Sequence, residues 1–197
     1  MGESEKTVGL LGGSFDPPHM GHVLLCAVGV AGLGLDEVWL LPCRCHPFGK
    51  PLTPFEHRAR MCALAVAALG KRVRVERIEA SLGAEDEPSF TADTVAALRE
   101  RHPAITFRLL IGSDLVQELK SWRDHERLVA MAKPLVVPRM GYRQPSRRVE
   151  GPETLPALSS SGVRERAASG KSLEGWVPRA VEEYIVSKGL YGAAVRS

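Results

Sequence analysis

Short apolar segments alternate along the chain with longer segments in which apolar residues recur every three or four positions. The short segments, rich in Val, Leu and Ile, predict five strands buried on both faces, at residues 8–12, 37–42, 73–78, 107–111 and 135–138. The longer segments predict helices at about 19–31, 54–69, 91–101, 124–132, 161–169 and 178–188. Because crossovers between parallel strands are right-handed, this order predicts an α/β fold: a Rossmann-like, doubly wound parallel sheet of five to six strands with helices on both faces and a C-terminal helical segment.

The composition is that of an ordinary globular protein. The 197 residues are 44% hydrophobic and 25% charged, which suits a single domain over residues 1–197. The net charge of +3 indicates no nucleic-acid tail, no segment has the length of a membrane span, and the charged N-terminus lacks a signal-peptide core. We therefore expect a cytoplasmic protein with neither nucleic acid nor membrane as a partner, and the sequence leaves a homo-oligomer open.

Four cysteines raise the question of a metal site. Cys43 and Cys45, followed by His46, could begin a zinc site, but paired zinc ligands favour two to four intervening residues and need a second pair, which the sequence lacks. Cys26 and Cys62 fall in predicted helices, where a cysteine packs as a small hydrophobic residue. We expect four free thiols and no metal held by protein ligands.

The segment after the first predicted strand is the strongest candidate for chemistry. It combines glycines for a turn, prolines for a helix entry and two histidines three positions apart: Gly12, Gly13, Ser14, Phe15, Asp16, Pro17, Pro18, His19, Met20, Gly21 and His22. A helix N-terminus here would aim unpaired backbone N–H groups at a ligand, which predicts an anion site and most naturally a phosphate site. His19 and His22 would share a helix face and reach the same space. Structural histidines, metal ligation by the pair and a plain tight turn are the alternatives.

Two later segments add matching chemistry. Gly112 and Asp114 follow the fourth predicted strand, which ends beside the first strand in a doubly wound sheet. Asp114 is therefore a candidate partner for ribose hydroxyls, with capping of the next helix as the alternative. Ser160, Ser161 and Arg164 lie at the start of a predicted helix, where hydroxyls and a guanidinium can bind a second anion unless the serines only cap the helix.

Together the three segments resemble the signature of the nucleotidyltransferases related to class I aminoacyl-tRNA synthetases, which transfer AMP or CMP onto phosphate-bearing acceptors. The resemblance runs from residue 8 to residue 191 and departs from the family pattern in having Ser161 for Thr, followed by Gly162. It implies a phosphate-binding helical part at about 158–191, with ATP as substrate and Mg²⁺ as cofactor. The implied catalytic residues are His19, His22, Arg164 and Asp16. The implied ATP-binding residues are Gly12, Gly13, Ser14, Phe15, Gly21, Gly112, Asp114, Ser160 and Ser161.

On the acceptor side, the chain resembles the nicotinate mononucleotide adenylyltransferases. In that family a Trp stacks on the pyridine ring, and a Pro-Ser-aromatic-Thr segment contacts the carboxylate of that ring. The resemblance thus implies substrate contacts by Phe90, Thr91 and Trp122, and further contacts by Arg139 and Lys50. A packing role in the core is the alternative for Trp122.

The loop at 42–50 departs most from the family order, so His46, Lys50 and Arg58 remain alternative phosphate contacts. The implied reaction is the transfer of AMP from ATP to nicotinate mononucleotide, with nicotinate adenine dinucleotide and pyrophosphate as products. The acceptor phosphate would attack in line, without a covalent enzyme intermediate. Two other hypotheses stay open. One is a different acceptor, such as nicotinamide mononucleotide or phosphopantetheine, and the other is a sensor that binds a nucleotide without turnover.

Overall fold

The computed structural model describes residues 6–83, 87–139 and 155–193. Five strands form one parallel sheet in the order β3-β2-β1-β4-β5. Their bounds are β1 Lys6–Gly13, β2 Glu37–Pro42, β3 Val73–Val75, β4 Ile105–Gly112 and β5 Pro134–Val137. The predicted doubly wound α/β fold is confirmed, with five strands in the described parts of the chain.

In the described ranges, six α-helices connect and follow these strands. They are α1 Met20–Gly32, α2 Phe55–Val66, α3 Thr91–Arg101, α4 His125–Met131, α5 Ser160–Ala168 and α6 Arg179–Ser187. Each lies within a few residues of a predicted helix, because its apolar spacing is local and long enough to be unambiguous. None of the helices in the described ranges combines the length and apolarity that crossing a membrane would require.

Alternating residues of the central strands pack into two separate cores. In β2, Val38 and Leu40 belong to the core that α1, α2, α5 and α6 cover, whereas Trp39 and Leu41 belong to the core that α3 and α4 cover. This alternation follows from the opposite directions of successive side chains along a strand. The two C-terminal helices therefore share a core with one face of the sheet.

Two predicted boundaries were wrong. The strand expected at 73–78 ends at Val75, because it lies at the sheet edge and pairs only with Val38–Leu40 of β2; the chain then turns into a 3₁₀ helix, Ile78–Ser81. The helix expected at 54–69 ends at Val66 and continues as a 3₁₀ segment that includes Gly70 at φ 70°. The prolines and arginines at 141–156 predict a long loop, and residues 141–154 of this segment lie outside the described residues.

Candidate active site

The candidate site lies at the carboxyl ends of β1 and β4. These strands are neighbours, and the chain leaves β1 towards α1 on one face of the sheet, whereas the α3 and α4 layer flanks β4 on the other face. A parallel sheet opens a crevice at such a switch point, at the carboxyl ends of the strands. The glycine-led turn after Gly13 and the segment after Gly112 therefore meet at one crevice.

A buried arginine holds the turn after β1 in place. The guanidinium of Arg58, on α2, donates to the carbonyl oxygens of Thr53 at 2.7 Å, Ser14 at 2.8 Å and Arg44 at 3.0 Å. Only 1% of Arg58 is exposed. Because its donors are used inside the protein, Arg58 supports the loops around the crevice, and a direct phosphate contact by Arg58 does not fit this geometry.

The C-terminal part of the chain also forms hydrogen bonds with the turn after β1. The buried carboxylate of Asp16 accepts a hydrogen bond of 2.7 Å from the hydroxyl of Tyr191 and one of 3.3 Å from the backbone N–H of Thr53. Arg164 donates to the carbonyl oxygen of Asp16 at 2.7 Å, and Ser160 donates to that of Pro17 at 2.8 Å. Asp16 thus orients the turn, and no described hydrogen bond joins it to either histidine.

His19 and His22 form a stacked pair at the start of α1. Their ring centroids are 3.8 Å apart, and the backbone N–H of His19 donates to Nδ1 of His22 at 3.1 Å. Burial, with help from the positive charge of Arg139, lowers the pKa of His19 to about 4. Burial holds the pKa of His22 well below its usual range, and the charges of His19 and Arg139 lower it further. Both rings are therefore neutral near pH 7.

The hydrogen bond to Nδ1 also fixes the tautomer of His22. A neutral imidazole that accepts at Nδ1 carries its proton on Nε2, so His22 can donate from Nε2. Gly21 makes room for this arrangement, because a Cβ at Gly21 would lie 3.0 Å from the ring of His19. His22 can therefore offer a neutral N–H donor to a ligand.

The N-terminus of α1 offers fewer backbone donors than the sequence predicts. The N–H of Met20 donates to the carbonyl oxygen of Trp176 at 2.8 Å, and that of His22 to the carbonyl oxygen of His19 at 2.9 Å. The expectation that these two groups are unpaired was wrong, because the C-terminal segment supplies an acceptor for Met20 and the first turn itself supplies one for His22. Donors for an anion must come mainly from the histidine rings and Arg164.

Asp114 and Arg139 meet on the β4 side of the crevice. The guanidinium of Arg139 is hydrogen-bonded to the Asp114 carboxylate and to the carbonyl oxygen of Leu158, while its backbone N–H donates to Ser113 Oγ at 2.9 Å. The Asp114 side chain does not cap a helix. It lies over Gly112, where an added Cβ would come within 2.4 Å of its Oδ1. The sequence assigned Asp114 and Arg139 to different substrates, whereas the structure pairs them.

A cleft of about 420 Å³ adjoins the turn. Six of the sequence-predicted site residues line it: Gly12, Gly13, Ser14, Phe90, Thr91 and Trp122. A Cβ at position 12 would meet no atom within 4 Å, so the backbone of Gly12 borders open space. Trp122 also packs against the α3 and α4 core, so its packing role and a ligand role coexist.

Other predicted residues lie elsewhere. Phe15 is 1% exposed, and its ring packs in the core and edge-on against the ring of His22, with the two centroids 4.9 Å apart. Lys50 is exposed and is not among the residues that line the cleft. Ser161 is exposed and its hydroxyl accepts a hydrogen bond of 3.2 Å from Arg164.

Glu79 is a site residue that sequence reasoning missed. It lines the cleft, is 6% exposed, and accepts hydrogen bonds from Thr94 Oγ1 at 3.0 Å and from the Arg44 N–H at 3.1 Å. Burial raises the pKa of the Glu79 carboxyl, although hydrogen bonds from Ser89, Arg44 and Thr94 oppose the rise. Glu79 thus joins the loop after β2 to the start of α3.

The cysteines are free thiols, as expected. Cys26 and Cys62 are buried in α1 and α2, and burial raises the pKa of both. Cys43 lines the cleft and lies 3.9 Å from Ser14 Oγ. In the described parts of the chain, His, Cys, Asp and Glu form no group of three or more that could hold a metal ion.

Comparisons with known proteins agree on one family. Residues 10–166 match the model of the family described as cytidylyltransferase-like. A protein of Anaeromyxobacter sp. (strain K), named "Probable nicotinate-nucleotide adenylyltransferase", is 42% identical over 94% of this chain and 97% of its own length. A protein of Myxococcus xanthus (strain DK1622) with the same name is 39% identical over 94% of both chains.

A solved structure supports the fold. Plasmodium falciparum nicotinic acid mononucleotide adenylyltransferase complexed with NaAD aligns with a TM-score of 0.77, over 97% of this chain and 100% of that chain. Its sequence identity is 24%, so the likeness concerns the fold alone.

Proposed function

The chain belongs to the cytidylyltransferase-like family and, within it, to the nicotinate-nucleotide adenylyltransferases, and from this premise we propose its activity. It transfers AMP from ATP to nicotinate mononucleotide, giving nicotinate adenine dinucleotide and pyrophosphate in the biosynthesis of NAD. The observation that carries this conclusion is the 42% identity to the Anaeromyxobacter relative over 94% of the chain.

We propose that catalysis rests on positioning and on stabilisation of charge. The acceptor phosphate is already anionic, so its in-line attack on the α-phosphorus of ATP needs no strong general base. Neutral His19 and His22 can donate hydrogen bonds to phosphate oxygens without losing a proton, and Arg164 adds a fixed positive charge. Asp16 acts through the turn that it orients.

The two substrates would bind on either side of this turn. We assign the ATP ribose to Gly112 and Asp114, with Arg139 orienting the Asp114 carboxylate. Ser161, within the helical part at 158–191, is assigned to its phosphates, whereas the hydroxyl of Ser160 donates to the carbonyl oxygen of Pro17 and supports the turn. The acceptor ring is assigned to the cleft beside Trp122, Phe90 and Thr91, whose lining supports the assignment.

Magnesium does not fit a resident protein site here. Both carboxylate oxygens of Asp16 are hydrogen-bonded within the protein, Asp114 is paired with Arg139, and the described residues offer no cluster of ligands. Mg²⁺ commonly binds through substrate phosphates with few protein ligands. We propose that it arrives with the triphosphate of ATP. A cytoplasmic location is part of the same proposal, since four free cysteines suit a reducing compartment.

A pyrophosphate-release assay tests the activity. ATP is combined in turn with nicotinate mononucleotide, nicotinamide mononucleotide and phosphopantetheine, and we expect the highest kcat/KM with nicotinate mononucleotide. His22→Ala is the matched negative control, with kcat lower by at least ~100-fold and the fold retained, because a preorganised donor to transition-state charge is worth about that much. Binding of ATP without pyrophosphate release from any acceptor would instead identify a nucleotide sensor.

A further inference from the structure

Arg123 is a charged residue of the cleft to which the proposed chemistry assigns no role. It follows Trp122 directly and lines the same cleft as Phe90 and Thr91. Its guanidinium carbon lies 4.4 Å from the centroid of the Phe90 ring, a cation–π contact. No carboxylate in the described parts of the chain pairs with it. An arginine whose donors are unused therefore stands at the wall of the acceptor cleft.

The other ionisable residues that line the cleft are neutral or acidic, so Arg123 differs from them in carrying a positive charge. Burial, together with the positive charge of Lys50, lowers the pKa of His46, so His46 is neutral near pH 7. Burial raises the pKa of the Cys43 thiol, which is also neutral there. The remaining ionisable residues among those described in the lining are Glu79 and Glu118, which are acidic. Without Arg123 the lining would disfavour a second negative charge on an acceptor.

We propose that Arg123 is a specificity-determining residue, whose guanidinium binds the carboxylate of the acceptor's aromatic ring and so selects an acid over the corresponding amide. This inference rests on the proposed function, which supplies an acceptor with a carboxylate-bearing ring. A ring that stacks on Trp122 carries its substituent beside Arg123, which lies next in the chain and is held over Phe90. An arginine binds a carboxylate through charge-assisted hydrogen bonds, whereas a neutral carboxamide adds donors that face the same guanidinium.

The test compares Arg123→Gln with Lys120→Gln. Lys120 lies three positions before Arg123, in the 3₁₀ helix Glu118–Ser121. It is exposed but does not line the cleft, so the control removes an equal charge outside the cleft. At saturating ATP, kcat/KM is measured for nicotinate and nicotinamide mononucleotides. In Arg123→Gln we expect kcat/KM for the nicotinate form to fall ~10-fold, mainly through KM, with the nicotinamide form within about 2-fold of wild type. Lys120→Gln should retain the wild-type preference, and Arg123→Lys should recover part of it.

Ionic strength gives an independent readout. Because an exposed charge interaction is screened by salt, the wild-type preference should shrink between low salt and about 0.5 M KCl, whereas that of Arg123→Gln should not change. An unchanged preference in Arg123→Gln, or an equal loss for both acceptors, overturns the inference while the proposed function stands. If the wild-type protein forms no dinucleotide from either acceptor, the proposed function is wrong, and the inference that rests on it is wrong as well.

Discussion

The hydroxyl of Tyr191 donates a hydrogen bond of 2.7 Å to the carboxylate of Asp16, across 175 positions of sequence. Tyr191 adopts a left-handed backbone conformation, at φ 57°, which a residue with a Cβ adopts only at a cost. Burial, followed by the bond to Asp16, raises the pKa of Tyr191, so the hydroxyl remains a donor throughout the physiological range. The C-terminal segment thus holds the turn on which His19 lies.

Removal of this hydroxyl should slow turnover more than it weakens substrate binding. We expect Tyr191→Phe to lower kcat about 10-fold with KM values within about 3-fold, because a small displacement of catalytic groups mainly costs rate. Tyr184→Phe is the matched control, since its hydroxyl bonds His57 at 2.9 Å and does not contact the turn. Steady-state kinetics decide the matter. Equal effects of the two variants would mean that Tyr191 contributes only to general stability.

A second prediction concerns Arg58 and the free energy of unfolding. Arg58→Met should destabilise the protein by about 3–5 kcal/mol, because the buried guanidinium is removed and three partly buried carbonyl oxygens lose their donors. Arg72→Met is the control: Arg72 also bonds three carbonyl oxygens, of Asp36, Val30 and Leu35, but it is exposed, so water can replace it. Urea unfolding should show a loss for Arg72→Met of less than about 1.5 kcal/mol. Similar losses in the two variants would contradict this account.

The sequence predicts those features of the fold that depend on local spacing. The strand, turn and helix around Gly13 and His22 follow from an apolar run, two glycines and two prolines within a few residues. The positions of Gly112 and Asp114 near that turn follow from strand order in a doubly wound sheet, whereas that of Trp122 was implied by the family resemblance. Secondary structure predicted from local spacing is retained in the fold, because the tertiary contacts favour the same strands and helices.

Long-range polar contacts could not be predicted in the same way. The bonds from Tyr191 to Asp16 and from Arg139 to Asp114 join residues that no periodicity connects. The pairing of the Met20 N–H at the start of α1 depends on the carbonyl of Trp176, which lies more than 150 positions later in the chain. The buried role of Arg58 could have been predicted from the sequence. Arg58 shares the apolar face of α2 with Met61 and Cys62, and a lone arginine on such a face needs buried hydrogen-bond partners.

A third prediction concerns the dependence of stability on pH. The pKa of His19 is about 4 in the folded protein and about 6.5 in the unfolded chain, so between these values the unfolded state binds more protons. The associated stability is complete above pH 6.5 and is lost as the pH falls towards 4, by on the order of 3 kcal/mol.

His19→Asn removes this titration and isolates it from those of the carboxylates. The free energy of unfolding is measured for both proteins at several values of pH between 4 and 7. We expect the difference in favour of the wild type to decrease as the pH falls through this window. A difference that stays constant would show that His19 is not held in its neutral form by the fold.

The last prediction separates ring stacking from charge recognition in the acceptor cleft. Trp122 presents a ring to the cleft while packing against the core behind it, and stacking senses the pyridine ring rather than the charge of its substituent. Wild-type protein should favour nicotinate over nicotinamide mononucleotide by at least ~100-fold in kcat/KM, because the amide forfeits charge-assisted hydrogen bonds. Trp122→Ala should raise KM for both acceptors by a similar factor of about 10 and spare that for ATP, with partial recovery in Trp122→Phe. The preference for the acid should therefore survive unchanged in Trp122→Ala and decrease about 10-fold in Arg123→Gln. Unaltered acceptor kinetics in Trp122→Ala would place the pyridine ring elsewhere, because a ring stacked on Trp122 cannot lose that contact without weaker binding.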